Sequence, residues 1–111
     1  MIELRAELFA APEDEWRHVP FVVNRHKWWL RWYRRDDGVF FFTFVSPKKR
    51  SYAFSAERGG VTSADVALAN GETIASYWWG GCDTAKSRDA VIRLTPRHIL
   101  DRLWMLLDAT E

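Results

Sequence analysis

The chain has 111 residues, 48% of them hydrophobic and 28% charged, a size and composition that fit one domain with its own core and exclude a disordered segment. A formal charge of +1 supplies no global attraction to nucleic acid or to an acidic membrane surface. The lone cysteine, Cys82, excludes an internal disulfide, so the core must hold the fold together, as suits a reducing compartment.

The first elements are short. Ile2, Leu4, Ala6 and Leu8 alternate as a strand would, while Leu4, Leu8 and Phe9 also make a helical stripe. Pro12 and the acidic run Glu13-Asp14-Glu15 end that segment. The start of the chain lacks the basic residues and unbroken apolar run of a signal peptide, and no stretch approaches the roughly 18 apolar residues of a membrane span. The cytoplasm is the expected location. Phe21, Val22 and Val23 follow Pro20 as a short strand or the approach to the next one.

Residues 27–55 predict an antiparallel β-meander, because aromatic and β-branched residues cluster there between turn signals. Strands are expected over 27–35, 39–45 and 51–55, with turns at Asp36-Asp37-Gly38 and across 46–50. A two-residue loop at Asp37-Gly38 would set Trp32 opposite Thr43. A three-residue loop with Gly38 left-handed sets Trp32 opposite Phe42 and Leu30 opposite Phe44. The second register is preferred, because it gathers Trp28, Leu30, Trp32, Phe40, Phe42 and Phe44 on one face, which Tyr52 and Phe54 extend. The other face then carries Trp29, Arg31, Tyr33 and Arg35 beside Phe41, Thr43 and Val45.

Beyond Gly59-Gly60 the pattern reads as helical, with Asn70 as a cap and a helix from Glu72 to Trp79 ended by Gly80-Gly81. Residues 61–69 fit either a strand or a helix. Ala90 to Leu94 reads as a short strand, and Thr95-Pro96 as the start of a helix carrying Ile99, Leu100, Leu103, Leu106 and Leu107 at helical spacing. The expected fold is therefore α+β: an antiparallel meander packed against a C-terminal helix and one shorter helix, all within residues 1–111.

No catalytic constellation emerges. Cys82 has no nucleophile signature around it, and His18, His26 and His98 lie on separate elements, so neither covalent catalysis nor a metal centre is expected. The acidic groups at 13–15 and 36–37 fall in turns, where carboxylates solvate the backbone. Neither glycine pair matches a phosphate loop or a dinucleotide fingerprint, and no cofactor is implied.

What stands out is a basic, aromatic middle. Residues 25–58 hold nine bases and three acids, against two bases and five acids in residues 1–24 and five bases and seven acids in residues 59–111. Tryptophan, tyrosine and arginine dominate interface energetics, because they bury large areas while keeping a polar handle. The plain alternative makes alternate tryptophans core and alternate arginines solvated. Stacking platforms for small molecules or single-stranded nucleic acid use the same residue types. The expected partner surface is Trp29, Arg31, Tyr33 and Arg35 from the sheet, or Trp78 and Trp79 with the loop to Cys82.

The segment Ile74-Ala75-Ser76-Tyr77-Trp78-Trp79-Gly80-Gly81, with Arg88 further on, resembles a family of actinobacterial polymorphic-toxin immunity proteins. Asp37-Gly38 and Phe40-Phe41-Phe42 would fill the family's earlier aspartate-glycine turn and aromatic second strand. The resemblance covers about residues 30 to 95. The chain departs from it in being shorter than most members and in opening a C-terminal helix at Thr95-Pro96. The resemblance implies a cytoplasmic inhibitor that blocks the active site of a cognate secreted toxin, in some members an NAD-degrading enzyme, with no catalytic group of its own.

Overall fold

The computed structural model describes residues 16–35, 37–57, 60–78 and 85–110, the side chains of 85 and 86 excepted. Six strands come first: β1 (Arg17–Val23), β2 (His26–Arg34), β3 (Phe40–Val45), β4 (Ser51–Glu57), β5 (Gly60–Ala67) and β6 (Thr73–Trp78). Two helices follow, α1 (Ala85–Leu94) and α2 (Arg97–Thr110). The strands form one sheet in chain order, and every neighbouring pair is antiparallel. The architecture is the expected α+β meander with a C-terminal helix and a shorter one.

Turn chemistry sets the registers. Arg35 N–H donates to Val39 O at 2.9 Å and Gly38 N–H to Arg35 O at 3.1 Å, which closes a three-residue loop whose last member, Gly38, has φ of 89°. Trp32 therefore faces Phe42 and Leu30 faces Phe44, the register preferred from the aromatic pattern. The same device recurs after β3, where Ser46 and Arg50 close the loop and Lys49 takes φ of 69°. It recurs again after β5, with Leu68 and Glu72 closing and Gly71 at φ 89°. β1 and β2 join through Asn24 and Arg25, both at positive φ, the signature of a tight two-residue hairpin whose twist suits the strands it links.

The register puts the rings of one face into the core. Phe42 and Phe44 are 0% exposed and Phe40 1%, with Trp28 and Trp32 at 7%. Tyr52, Phe54, Ala56, Ala64 and Val66 continue this face through β4 and β5. Val91 of α1 and Ile99, Leu103, Leu106 and Leu107 of α2 close over it. Ring geometry is favourable throughout: Phe44 meets Phe54 and Phe21 edge-on at centroid distances of 6.3 Å, and Trp28 meets His98 edge-on at 5.0 Å.

Two elements differ from the sequence-based expectation. Residues 73–78 form strand β6 rather than part of a helix from Glu72 to Trp79, because Asn70-Gly71 is a hairpin turn and not a helix cap. Asn70 Oδ1 accepts from Glu72 N–H at 2.9 Å, and Gly71 supplies the left-handed residue that the loop needs. Residues 90–94 belong to helix α1 rather than a strand; Val91 and Leu94 lie one helical turn apart on its inner side while Ile92 is exposed. The ambiguous segment 61–69 is strand through Ala67. Helix α2 begins where Thr95-Pro96 predicts, yet the Thr95 hydroxyl donates backward to Val91 O at 2.7 Å, and it is Pro96 O that accepts from Ile99 and Leu100 N–H. The expectations for residues 1–10, Gly80-Gly81 and Cys82 lie outside the described residues.

Phe42→Ala is expected to cost about 3–5 kcal/mol, since a fully enclosed ring leaves a cavity that its neighbours cannot fill; the urea midpoint checks it. The left-handed turn positions make a paired test. Gly38→Ala is expected to lose about 1 kcal/mol, and Lys49→Gly to gain up to about 1 kcal/mol, because a Cβ is disfavoured in that conformation.

Candidate functional site

The helices cover one face of the sheet, and among the described residues no helix lies on the other. Alternation along β2 sends Trp29, Arg31 and Tyr33 to this outer face, with Arg35 just past the strand end. Pairing then sets Pro20 and Val45 beside Trp29, His18 and Thr43 beside Arg31, and Phe41 beside Tyr33. Trp29, Arg31 and Tyr33 are half-buried and Arg35 is exposed. The four side chains expected to act together thus occupy one continuous patch.

Within the patch, cations lie on rings. The Arg31 guanidinium carbon sits 4.9 Å from the centre of the Trp16 ring, and Trp16 packs on Tyr33 at 5.1 Å. Lys27 Nζ lies 4.5 Å from the Trp29 ring centre and Arg35 Cζ 5.5 Å from that of Phe41; Phe41 in turn touches Tyr33 at 6.0 Å. Arg31 Nε is enclosed and makes no hydrogen bond among the described residues, so ring stacking is the contact that positions this guanidinium.

Arg35 is engaged on its other side. Its Nε and Nη2 donate to the two carboxylate oxygens of Asp37 at 2.9 and 2.5 Å. The Arg35 guanidinium, helped by the Val39 N–H, holds the Asp37 carboxyl below the usual carboxylate range. A bidentate pair fixes the direction of the fork, and it also neutralises most of the charge that Arg35 offers a partner.

Trp78 belongs to the same face but to its far edge. The register row Tyr33, Phe41, Ser55, Ser63, Trp78 crosses β2 to β6, and four strand spacings separate its ends by about 19 Å. Beyond Phe41 the ground is small and polar: the Ser55 hydroxyl hydrogen-bonds with those of Thr62 and Ser63 at 2.7 and 2.5 Å. Trp78 is 64% exposed. Trp79, expected beside it on the contact surface, lies outside the described residues.

One exposed ring was not singled out from the sequence. Trp104 on α2 is 63% exposed, with Met105 and Ile92 also exposed nearby in the helical layer. Trp104 lines an apolar groove of about 530 Å³ together with Phe54, Val61, Tyr77, Ile92 and Leu103. The signal was present: Trp104 falls outside the spacing of Ile99, Leu103, Leu106 and Leu107, and a large ring out of phase with its helix's core stripe is solvent-facing. Among the described residues no group of three or more His, Cys, Asp or Glu side chains comes together to hold a metal. His18 and His26 lie on exposed positions of β1 and β2, far in sequence from His98 on α2.

The outer face also holds a carboxylate, Asp65, opposite Ala53 and Ser76. The residue is exposed, and partial desolvation of its carboxyl raises the pKa from the ordinary carboxylate value. The folded state therefore keeps the proton to higher pH than the unfolded chain, and stability falls as pH rises through the interval between the two values. Asp65→Asn is expected to raise the urea midpoint at pH 7 slightly, an advantage that fades as pH falls through the carboxylate range; a midpoint series over pH reads both arms.

No family model matches the chain, and no curated protein or solved structure matches it either.

Proposed function

We propose that the chain is a small non-enzymatic protein-binding module, working as an immunity protein that inhibits a cognate secreted toxin in the cytoplasm by covering its active site. The observation that supports this reading is the layered surface in which Arg31, Arg35 and Lys27 rest on Trp16, Phe41 and Trp29. The stacked guanidinium groups are pre-ordered, so a partner that buries them loses little side-chain entropy, and Arg31, which has no carboxylate partner among the described residues, can meet a carboxylate in an enzyme's cleft. Such an inhibitor needs complementary shape and charge and no reacting group. Among the described residues no helix is long and apolar enough to cross a membrane, which is compatible with the cytoplasmic reading.

The central patch and Trp78 would form the two ends of the contact. Residues near the middle of an interface, enclosed by a rim that excludes water, carry most of the binding energy. Trp29, Arg31 and Tyr33 fit the middle, with Arg35 and Trp78 at the rim.

Co-expression with the product of the adjacent gene tests the proposal. A stable one-to-one complex and protection of the host from that product are expected. Trp29→Ala and Arg31→Ala are expected to weaken the complex by about 2 kcal/mol or more, roughly thirtyfold. Arg35→Ala and Trp78→Ala, at exposed positions, are expected to weaken it about threefold to tenfold with the urea midpoint unchanged. Absence of a complex, together with binding of single-stranded oligonucleotides through the same tryptophans, would overturn it in favour of a stacking platform for nucleic acid.

A further inference from the structure

At the end of the sheet where β2 begins and β3 ends, three turns and the start of α2 enclose an open cleft of about 690 Å³. The volume lies in the usual range for small-molecule sites. Its floor is aromatic, made by Trp28 and Tyr52, which are 7% and 4% exposed. Its rim carries Lys48 and Arg50 from the β3–β4 turn, with His26 and His98. Among the described residues the lining contains no Asp or Glu.

That rim is unusual for its lack of partners. Arg50 is half-buried, and among the described residues neither its guanidinium nor the Lys48 amine makes an ion pair. A half-buried guanidinium without a counter-charge, as at Arg50, keeps an unfavourable desolvation that an anionic ligand would relieve, while Lys48 is exposed and adds its charge at the edge. His98 stands edge-on to Trp28 at 5.0 Å, and its Nδ1 is enclosed without a hydrogen-bond partner among the described residues. Burial first, and then the neighbouring Arg102, hold the His98 pKa below its usual value, against a weaker opposite pull from Asp101. Lys48 and Arg50 are therefore the fixed cations of the cleft, and His98 contributes ring surface.

We infer that this cleft is a binding site for a small ligand bearing a phosphate or carboxylate on an apolar, ring-containing body: the anionic group at Lys48 and Arg50, the body on Trp28 and Tyr52. The backbone sets the rim geometry. Pro47 opens the turn, Lys49 takes the left-handed conformation, and the Ser46 hydroxyl accepts the Arg50 N–H at 2.9 Å. This site lies on the helix-covered side of the sheet and does not depend on the protein contact proposed for the outer face.

The test is an amide and indole NMR titration of the intact chain with 1-naphthyl phosphate, with 1-naphthol and inorganic phosphate as controls. The expected result is a shift of the Trp28 indole and of the Lys48–Arg50 and His98 amides, with affinity for 1-naphthyl phosphate at least about tenfold above either control. Arg50→Gln is expected to weaken that binding about tenfold and the exposed Lys48→Gln about threefold, with the urea midpoint of Lys48→Gln unchanged. Added salt should weaken it further. Equal affinity for 1-naphthol would show that the cations recognise nothing, and equal affinity for inorganic phosphate would show that the floor recognises nothing. Either result overturns the inference, as do shifts confined to Trp29, Tyr33 or Trp78, or binding indifferent to both substitutions. All of these readouts are independent of whether a toxin partner is found.

Discussion

The pairing of β2 with β3 decides the side of the sheet on which every ring of the central strands lies. Side chains alternate along a strand, so a slip of one residue would move Trp28, Leu30 and Trp32 out of the core and bring Trp29, Arg31 and Tyr33 in. Ring burial alone opposes that slip weakly, since each set holds two aromatic rings, Trp28 and Trp32 in one and Trp29 and Tyr33 in the other. The arginine does oppose it: Arg31 in the core would be a buried charge without a partner, at a cost of several kcal/mol. The three-residue loop ending at Gly38 opposes it as well, because only that length places Arg35 N–H against Val39 O. Local turn geometry and the distribution of charge thus agree on one register, and the core behind Phe42 and the layered surface in front of it both follow.

The outer face shows how a small domain carries more aromatic area than its interior encloses. Seven tryptophans are present in the chain, and the core takes Trp28 and Trp32. Trp16 and Trp29 are instead covered from above by Arg31 and Lys27. Cation stacking lets a ring stay near water without presenting a bare apolar patch, which is the usual route to unwanted association. Trp78 and Trp104 are left largely open at two different places, one at the sheet edge and one on a helix.

Much of this was legible in the residues and some was not, for identifiable reasons. The 27–55 meander announced itself through alternation between turn signals, and its register followed from asking which loop gathers the phenylalanines. The split of Trp29, Arg31, Tyr33 and Arg35 from the core face came from the same step. Residues 73–78 read as helical with Asn70 as a cap, although an asparagine-glycine pair before Ile, Tyr and Trp is a strong hairpin signal. Val91-Ile92 is a β-branched pair with a local preference for strand, and packing of Val91 and Leu94 on the sheet outweighs that weak preference. The cleft at Lys48 and Arg50 had no local signature, since Trp28 and His98, far apart in sequence, meet only in the folded structure.

Strict chain-order pairing has a kinetic consequence. Each strand needs only its predecessor to form, so the loops closed between successive strands are a few residues long and each incurs a small loss of chain entropy. The sheet can grow by zippering from any hairpin, without a distant segment first being captured. The contact that spans the sequence is the docking of α2, where His98 reaches Trp28. Assembly of a sheet with an open inner face followed by a late helical lid is the order this topology favours, and it leaves Phe40, Phe42 and Phe44 accessible to solvent until the last helix arrives.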